Sequence, residues 1–157
     1  MEPAYELAPL TSRAELRSPL LARLLDHWIS AGGGTIPAPG TIDLTELVEV
    51  VPYHWCFQVQ DGGADFLCLS SGAETDRTYG IAMTGRTLLG AGRLSFASRA
   101  MLVMRAPMRE RRPVRFASEA TVIPDRMFYD IEALSLPLSS DGRTIDQILG
   151  ATVARHL

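Results

Sequence analysis

Apolar positions form a helical stripe near the start of the chain. Leu20, Leu21, Leu24, Leu25 and Trp28 recur at intervals of three and four, so they share one helix face. Ser18 suits the N-cap, Pro19 the first turn and Gly32-Gly33-Gly34 the stop, which bounds an amphipathic helix over 18–31. The period then changes to two. Tyr53, Trp55, Phe57 and Val59 alternate with His54, Cys56 and Gln58, and 51–60 reads as a strand. Asp61-Gly62-Gly63 is a turn signal. Phe66, Cys68 and Ser70 then alternate with Leu67 and Leu69 in a second strand over 65–70, completing a hairpin.

Gly80, Gly85 and Gly90 break residues 72–90 into short helices and turns. A longer helix is predicted from Ser95 to Ala106, ended by Pro107. Strand-like runs over 114–123, 127–138 and 144–154 close the chain, parted by turns at Pro124-Asp125 and Ser139-Ser140-Asp141-Gly142. A linker at 35–41 leads to a helical turn at 43–50. Residues 1–17 are expected to be loosely ordered, with one helical turn near Arg13–Arg17. Strands joined by short turns pair antiparallel. The pattern therefore predicts an α+β fold: a five-stranded antiparallel sheet, helices inserted between the second and third strands, and an amphipathic helix in front, in one domain over 18–157. Leu67 and Leu69 would sit in water if one sheet face alone were covered. Both faces are thus expected to be covered, one by the inserted helices, the other by the N-terminal helix or a second subunit.

Composition narrows the class. A chain of 157 residues with 46% hydrophobic and 21% charged residues can bury a core without staples. No apolar run approaches the roughly 18 residues that span a bilayer, and the acidic start lacks a signal-peptide pattern. With only Cys56 and Cys68, both in strand-like segments, a cytoplasmic location is expected. The net charge of −3 gives no general attraction for nucleic acid. All 15 basic residues are arginine, 4 of them in residues 1–85 beside 11 acids and 11 in residues 86–157 beside 7.

Four stretches carry a resemblance. They are Leu24-Leu25-Asp26-His27-Trp28 with the glycines and Ile36-Pro37 that follow; Ile42-Asp43 through Val51-Pro52; Phe66 to Gly72 with Tyr79-Gly80 and Met83-Thr84-Gly85-Arg86; and Leu136 to Gly142 with Ile145 to Gly150. In that order and spacing, over about residues 20 to 155, the chain resembles a bacterial, alphaproteobacterial-type subfamily of PAS-domain proteins, often found as stand-alone domains. It departs at Leu67 to Gly72, where the family often places an arginine. The resemblance implies a sensory or regulatory module in bacterial signal transduction that binds a small molecule or a partner protein, as a homodimer and not as an enzyme. A haem-binding PAS domain usually presents a histidine on the long helix, and 95–106 contains none. Light-sensing flavin members carry a reactive cysteine on an inserted helix, whereas Cys56 and Cys68 fall on strands. Neither cofactor is expected.

The expected pocket, apolar with a few polar groups, is lined by Phe66, Cys68, Tyr79, Met83, Met101, Met104, Val114, Phe116 and Ser118. The expected partner or dimer surface is Leu21, Leu24, Leu25 and Trp28 on the first helix, with Arg109, Arg111 and Arg112 at the end of the long one. The basic cluster, with Arg105 and Arg115, reads as a solvated helix end or as a dock for an acidic partner or a phosphorylated messenger. His27, His54 and His156 lack metal-ligand spacing. Ser70, Ser71 and Ser98 show no His-Asp partnership, so no catalytic residue is assigned. A pocketless adaptor and a small enzyme on a cone-shaped α+β fold remain the rival readings.

Overall fold

The computed structural model describes residues 5–91, 94–122 and 128–156. Six strands form one antiparallel sheet: β1 (Tyr5–Pro9), β2 (His54–Gln60), β3 (Asp65–Ser71), β4 (Val114–Val122), β5 (Phe128–Leu138) and β6 (Gln147–His156). Their spatial order is β1-β4-β5-β6-β2-β3. Three α-helices accompany them, α1 (Pro19–Gly32), α2 (Ala73–Tyr79) and α3 (Leu94–Glu110), the last two inserted between β3 and β4. The α+β class and the insertion agree with the sequence pattern. The strand count does not, because the segment expected to be loose supplies a sixth strand. Tyr5 to Pro9 pair with Ser118 to Val114, Tyr5 stacks on Phe116 at 5.6 Å, and Pro9 sits at an edge where its missing N–H costs no pairing. The helical turn expected just after it is a 3-10 turn over Arg13–Glu15, closed by a Ser12/Glu15 capping box.

The α1 boundaries follow from its end residues. The Ser18 hydroxyl accepts from the Leu21 N–H, Pro19 opens the helix, and Gly33 at φ +56° donates to the Ile29 carbonyl. Leu21 and Leu24 are fully buried, and Leu25 nearly so, against Leu134, Leu136, Leu138, Leu149 and Ala151 of β5 and β6. Each leucine removed from water contributes roughly 1.5–3 kcal/mol, as an upper bound. Cover of the second sheet face is therefore supplied by the chain itself. It stops short of β3, where Leu67 is half-buried and Leu69 is 40% exposed.

Glu132 fixes where α1 begins. Its carboxylate is buried and accepts the N–H groups of Arg17 (2.9 Å) and Ser18 (2.8 Å) and the Arg115 guanidinium (2.6 Å). Trp28 ties the far end through Nε1 to the Pro137 carbonyl at 2.9 Å.

On the opposite face lie α2, α3 and the 80–91 segment, over Trp55, Phe57, Phe66, Cys68, Phe116, Ile131 and Ile148. Helix α3 does not stop at Ala106; it runs through Pro107 to Glu110. Proline removes the N–H that the Val103 carbonyl would accept. The buried Ser135 hydroxyl on β5 lies within reach of that carbonyl, at 3.3 Å, and of the Val114 carbonyl, at 3.4 Å, so its one proton is available to the Val103 carbonyl from outside the helix.

Two glycines permit close approach. A Cβ at Gly72 would overlap the backbone of Val51 and Pro52, and one at Gly150 would overlap the Trp55 ring and the Leu134 carbonyl.

Candidate functional site

The inner layer gathers most of the expected pocket residues. Phe66 and Cys68 on β3, Phe116 on β4, Met83, and Met101 and Met104 on α3 form one contiguous buried cluster. Tyr79, at the end of α2, packs against it with Met108. Ser118 is buried on β4. Val114 is also buried but lies outside the cluster. The structure thus converges sulfur-rich and aromatic side chains from four elements of the fold on one volume. These side chains re-pack at low cost, as adaptable sites do.

Sequence reasoning missed a polar node inside this layer. The Trp55 indole N–H donates to the Thr152 hydroxyl at 2.9 Å, and Tyr79 shares a hydrogen bond with the same Thr152 side chain. Burial raises the Tyr79 phenol pKa, opposed by that hydrogen bond and the nearby Arg99 charge. Arg99 also lies 5.0 Å over the Tyr5 ring. The alternation of Trp55 with polar residues signals its face. Nothing in the sequence signals that β6 sets Thr152 beside it.

The loop over the layer is held by Asp76. Its Oδ1 accepts the Ser71 hydroxyl at 2.7 Å and the Met83 N–H at 3.2 Å, while Thr84 Oγ1 accepts the Ser71 N–H at 3.1 Å. These bonds fix Met83 over β3.

A serine–histidine pair emerges that the linear pattern concealed. Cys56 pairs with Ser70 but Phe57 with Cys68, so Leu69 is an extra, bulged residue. The bulge breaks the predicted alternation and turns Ser70 toward His54. His54 Nδ1 lies 2.5 Å from the Val51 carbonyl, which can only accept, so Nε2 accepts from the Ser70 hydroxyl at 3.0 Å. Catalysis is poorly served here. The N–H groups after Ser70 are engaged, Ser71 with Thr84 and Gly72 with the His54 carbonyl, leaving neither for a developing oxyanion. The pair closes a strand end, and His54 is 7% exposed.

The other expected residues separate. Leu21, Leu24 and Leu25 do not form a partner surface, because the apolar outer sheet face takes them, and Trp28 is half-buried on the same side. His27 is half-buried on α1. Arg105 donates to the Gly63 carbonyl, and Arg115 belongs to the Glu132 and Glu6 pairs. Arg109, Arg111 and Arg112 are exposed at the end of α3. Among the described residues no cluster of three or more His, Cys, Asp or Glu could hold a metal. Both cysteines lie on strands as free thiols. Burial pushes Cys56 up to about 11 and raises Cys68.

No family model matches the chain, and no curated protein does. Among solved structures it is similar to one described as an RNA-binding light-oxygen-voltage receptor, with a TM-score of 0.52 and 14% identity. The likeness is one of fold, and that fold is PAS-like. It extends over 97% of this chain and 38% of that receptor's, so the PAS-like fold here spans well under half the neighbour's length. Among the described residues, no helix is long and apolar enough to cross a membrane.

Proposed function

We propose that the chain is a PAS-type sensory or regulatory domain of the bacterial subfamily its motifs resemble, and that it acts by binding rather than by catalysis. The observation that carries this reading is the composition of the inner layer. A node of Trp55, Thr152 and Tyr79 is set among Met83, Met101, Met104 and Cys68, under a loop held by Asp76. An apolar, adaptable volume with a few converging polar groups suits a small, largely apolar molecule bearing one hydrogen-bonding group. The engaged amides around Ser70 support the non-enzymatic part. RNA binding, by which that receptor is described, finds no electrostatic support in this chain, whose net charge is −3.

The test is native mass spectrometry of the protein as purified, followed by the same measurement on Thr152→Val. A retained small molecule, weakened or lost in the variant, is expected. A chain carrying no adduct, and unaltered in melting temperature by a panel of small apolar compounds, overturns the ligand-binding reading. The rival is an adaptor with a filled layer, favoured by the contiguity of the buried cluster.

A further inference from the structure

Two segments 32 residues apart meet at one end of the molecule. The Arg111 guanidinium donates to the Arg143 carbonyl at 2.6 Å, which joins the end of α3 to the β5–β6 turn. Arg109, Arg111, Arg112 and Arg143 are all exposed there. The guanidinium groups of Arg112 and Arg143 have no hydrogen bond or ion pair among the described residues. The turn's acids are directed elsewhere. Asp141 accepts the N–H groups of Arg143 and Thr144, both at 2.8 Å, which lower its pKa, and Asp146 accepts the Ser140 N–H. Among the described residues, Glu110 forms the one ion pair with the cluster, 3.4 Å from Arg109.

The backbone sets Arg111 where it can reach the turn. Arg111 follows the helix with φ +57°, and its N–H donates to the Pro107 carbonyl. Glycine is the default in that left-handed position, and a long side chain there is strained. The same left-handed turn that closes α3 directs the chain toward the β5–β6 turn, where Arg111 meets Arg143. Such outliers concentrate at sites of function.

We propose that Arg109, Arg111, Arg112 and Arg143 form a docking site for an acidic segment of a partner protein. Guanidinium forks match carboxylates two bonds at a time, and several exposed forks suit several spaced carboxylates. A phosphodiester backbone fits less well. Neither 109–113 nor 139–146 contains an aromatic residue on which a base could stack. The inference deepens the regulatory reading and rests on it for the partner's role, but the binding is measurable apart from any ligand.

The test uses fluorescence anisotropy of the full chain with a labelled peptide of alternating glutamate and alanine, its lysine-for-glutamate counterpart, and a short single-stranded RNA. The glutamate peptide alone is expected to bind, more weakly as salt rises. The double variant Arg112→Gln/Arg143→Gln is expected to lose roughly tenfold or more in affinity with its melting temperature unchanged. Arg111→Gly separates docking from folding. It relieves the strained backbone, so stability should hold or rise while peptide affinity falls. Tighter binding of RNA than of the glutamate peptide, equal binding of the two peptides, or undiminished affinity in the double variant overturns the proposal. Its failure beside a retained small molecule leaves the ligand-binding reading standing, and the converse result separates the two the other way.

Discussion

At the scale of single residues, small side chains decide what larger ones can do. Ser135 is the sharpest case. Helix α3 crosses Pro107 because a hydroxyl from β5 answers the Val103 carbonyl. Ser135→Ala removes that donor without adding bulk and leaves a buried acceptor unsatisfied. A loss of about 1–3 kcal/mol is expected in urea unfolding. A variant as stable as the parent would mean that the carbonyl is served in another way. The sequence could not show this, because Ser135 and Pro107 are distant along the chain and become neighbours only when α3 lies on the sheet. Proline as a helix terminator is a sound rule for an isolated segment, and here tertiary packing overrides it. The Leu69 bulge escaped in the same manner, since alternation assumes one residue opposite one residue.

At the scale of elements, α1 depends on one carboxylate. Glu132 binds Arg115 with side-chain exposures of 5% and 15%, and it also satisfies the two amides that lead into the helix. Glu132→Ala is expected to destabilise by about 3–5 kcal/mol, because it breaks a largely buried ion pair, leaves Arg115 only its contact with the exposed Glu6, and takes the acceptor from the Arg17 and Ser18 amides. The double variant Glu132→Leu/Arg115→Leu should stay below the parent, since the Arg17 and Ser18 amides remain without an acceptor. Full recovery in the double variant, measured by chemical denaturation, would reduce Glu132 to a partner of Arg115 alone. The boundaries of α1 were legible from Ser18, Pro19 and the glycines, and its apolar face from the leucine spacing. The identity of the surface it covers was not. A stripe of leucines fits a partner subunit as well as it fits the chain's own sheet, and only the apolar outer rows of β5 and β6 decide between them. The strand β1 was missed for a related reason: five residues with a charge and a proline form a pattern too short to carry a period.

For the whole molecule, the arrangement of a central sheet between α1 and the α2–α3 side makes its thiols reporters of global opening. Cys56 and Cys68 sit on neighbouring central and edge strands, and both thiols titrate above their ordinary value. With Cys56 near 11, its thiolate at pH 8 is present at roughly a thousandth of the total. Alkylation of Cys56 by iodoacetamide is therefore expected to be slow in the folded protein and to rise with urea along the global unfolding curve. Rapid labelling without denaturant would show that β2 opens locally. At this scale the sequence was most informative. The order of α1 and of strands β2 to β6, the insertion after the first hairpin and a covered second face over β5 and β6 follow from periodicity and turn chemistry, whereas the edge at β3, with Leu69 exposed, does not. The residues of the inner cluster were legible as apolar partners, whereas the polar node required the pairing of β2 with β6 to bring Trp55 and Thr152 together.

The tie between Pro107 and Ser135 also constrains ancestry. The serine hydroxyl has an alternative acceptor, the Val114 carbonyl at 3.4 Å, so it is tolerable beneath an unbroken helix. The proline has no such freedom, because without the hydroxyl its helix carries an orphaned carbonyl into the core. A lineage could thus acquire the serine first and the proline afterwards at little cost, while the reverse history passes through a weakened intermediate.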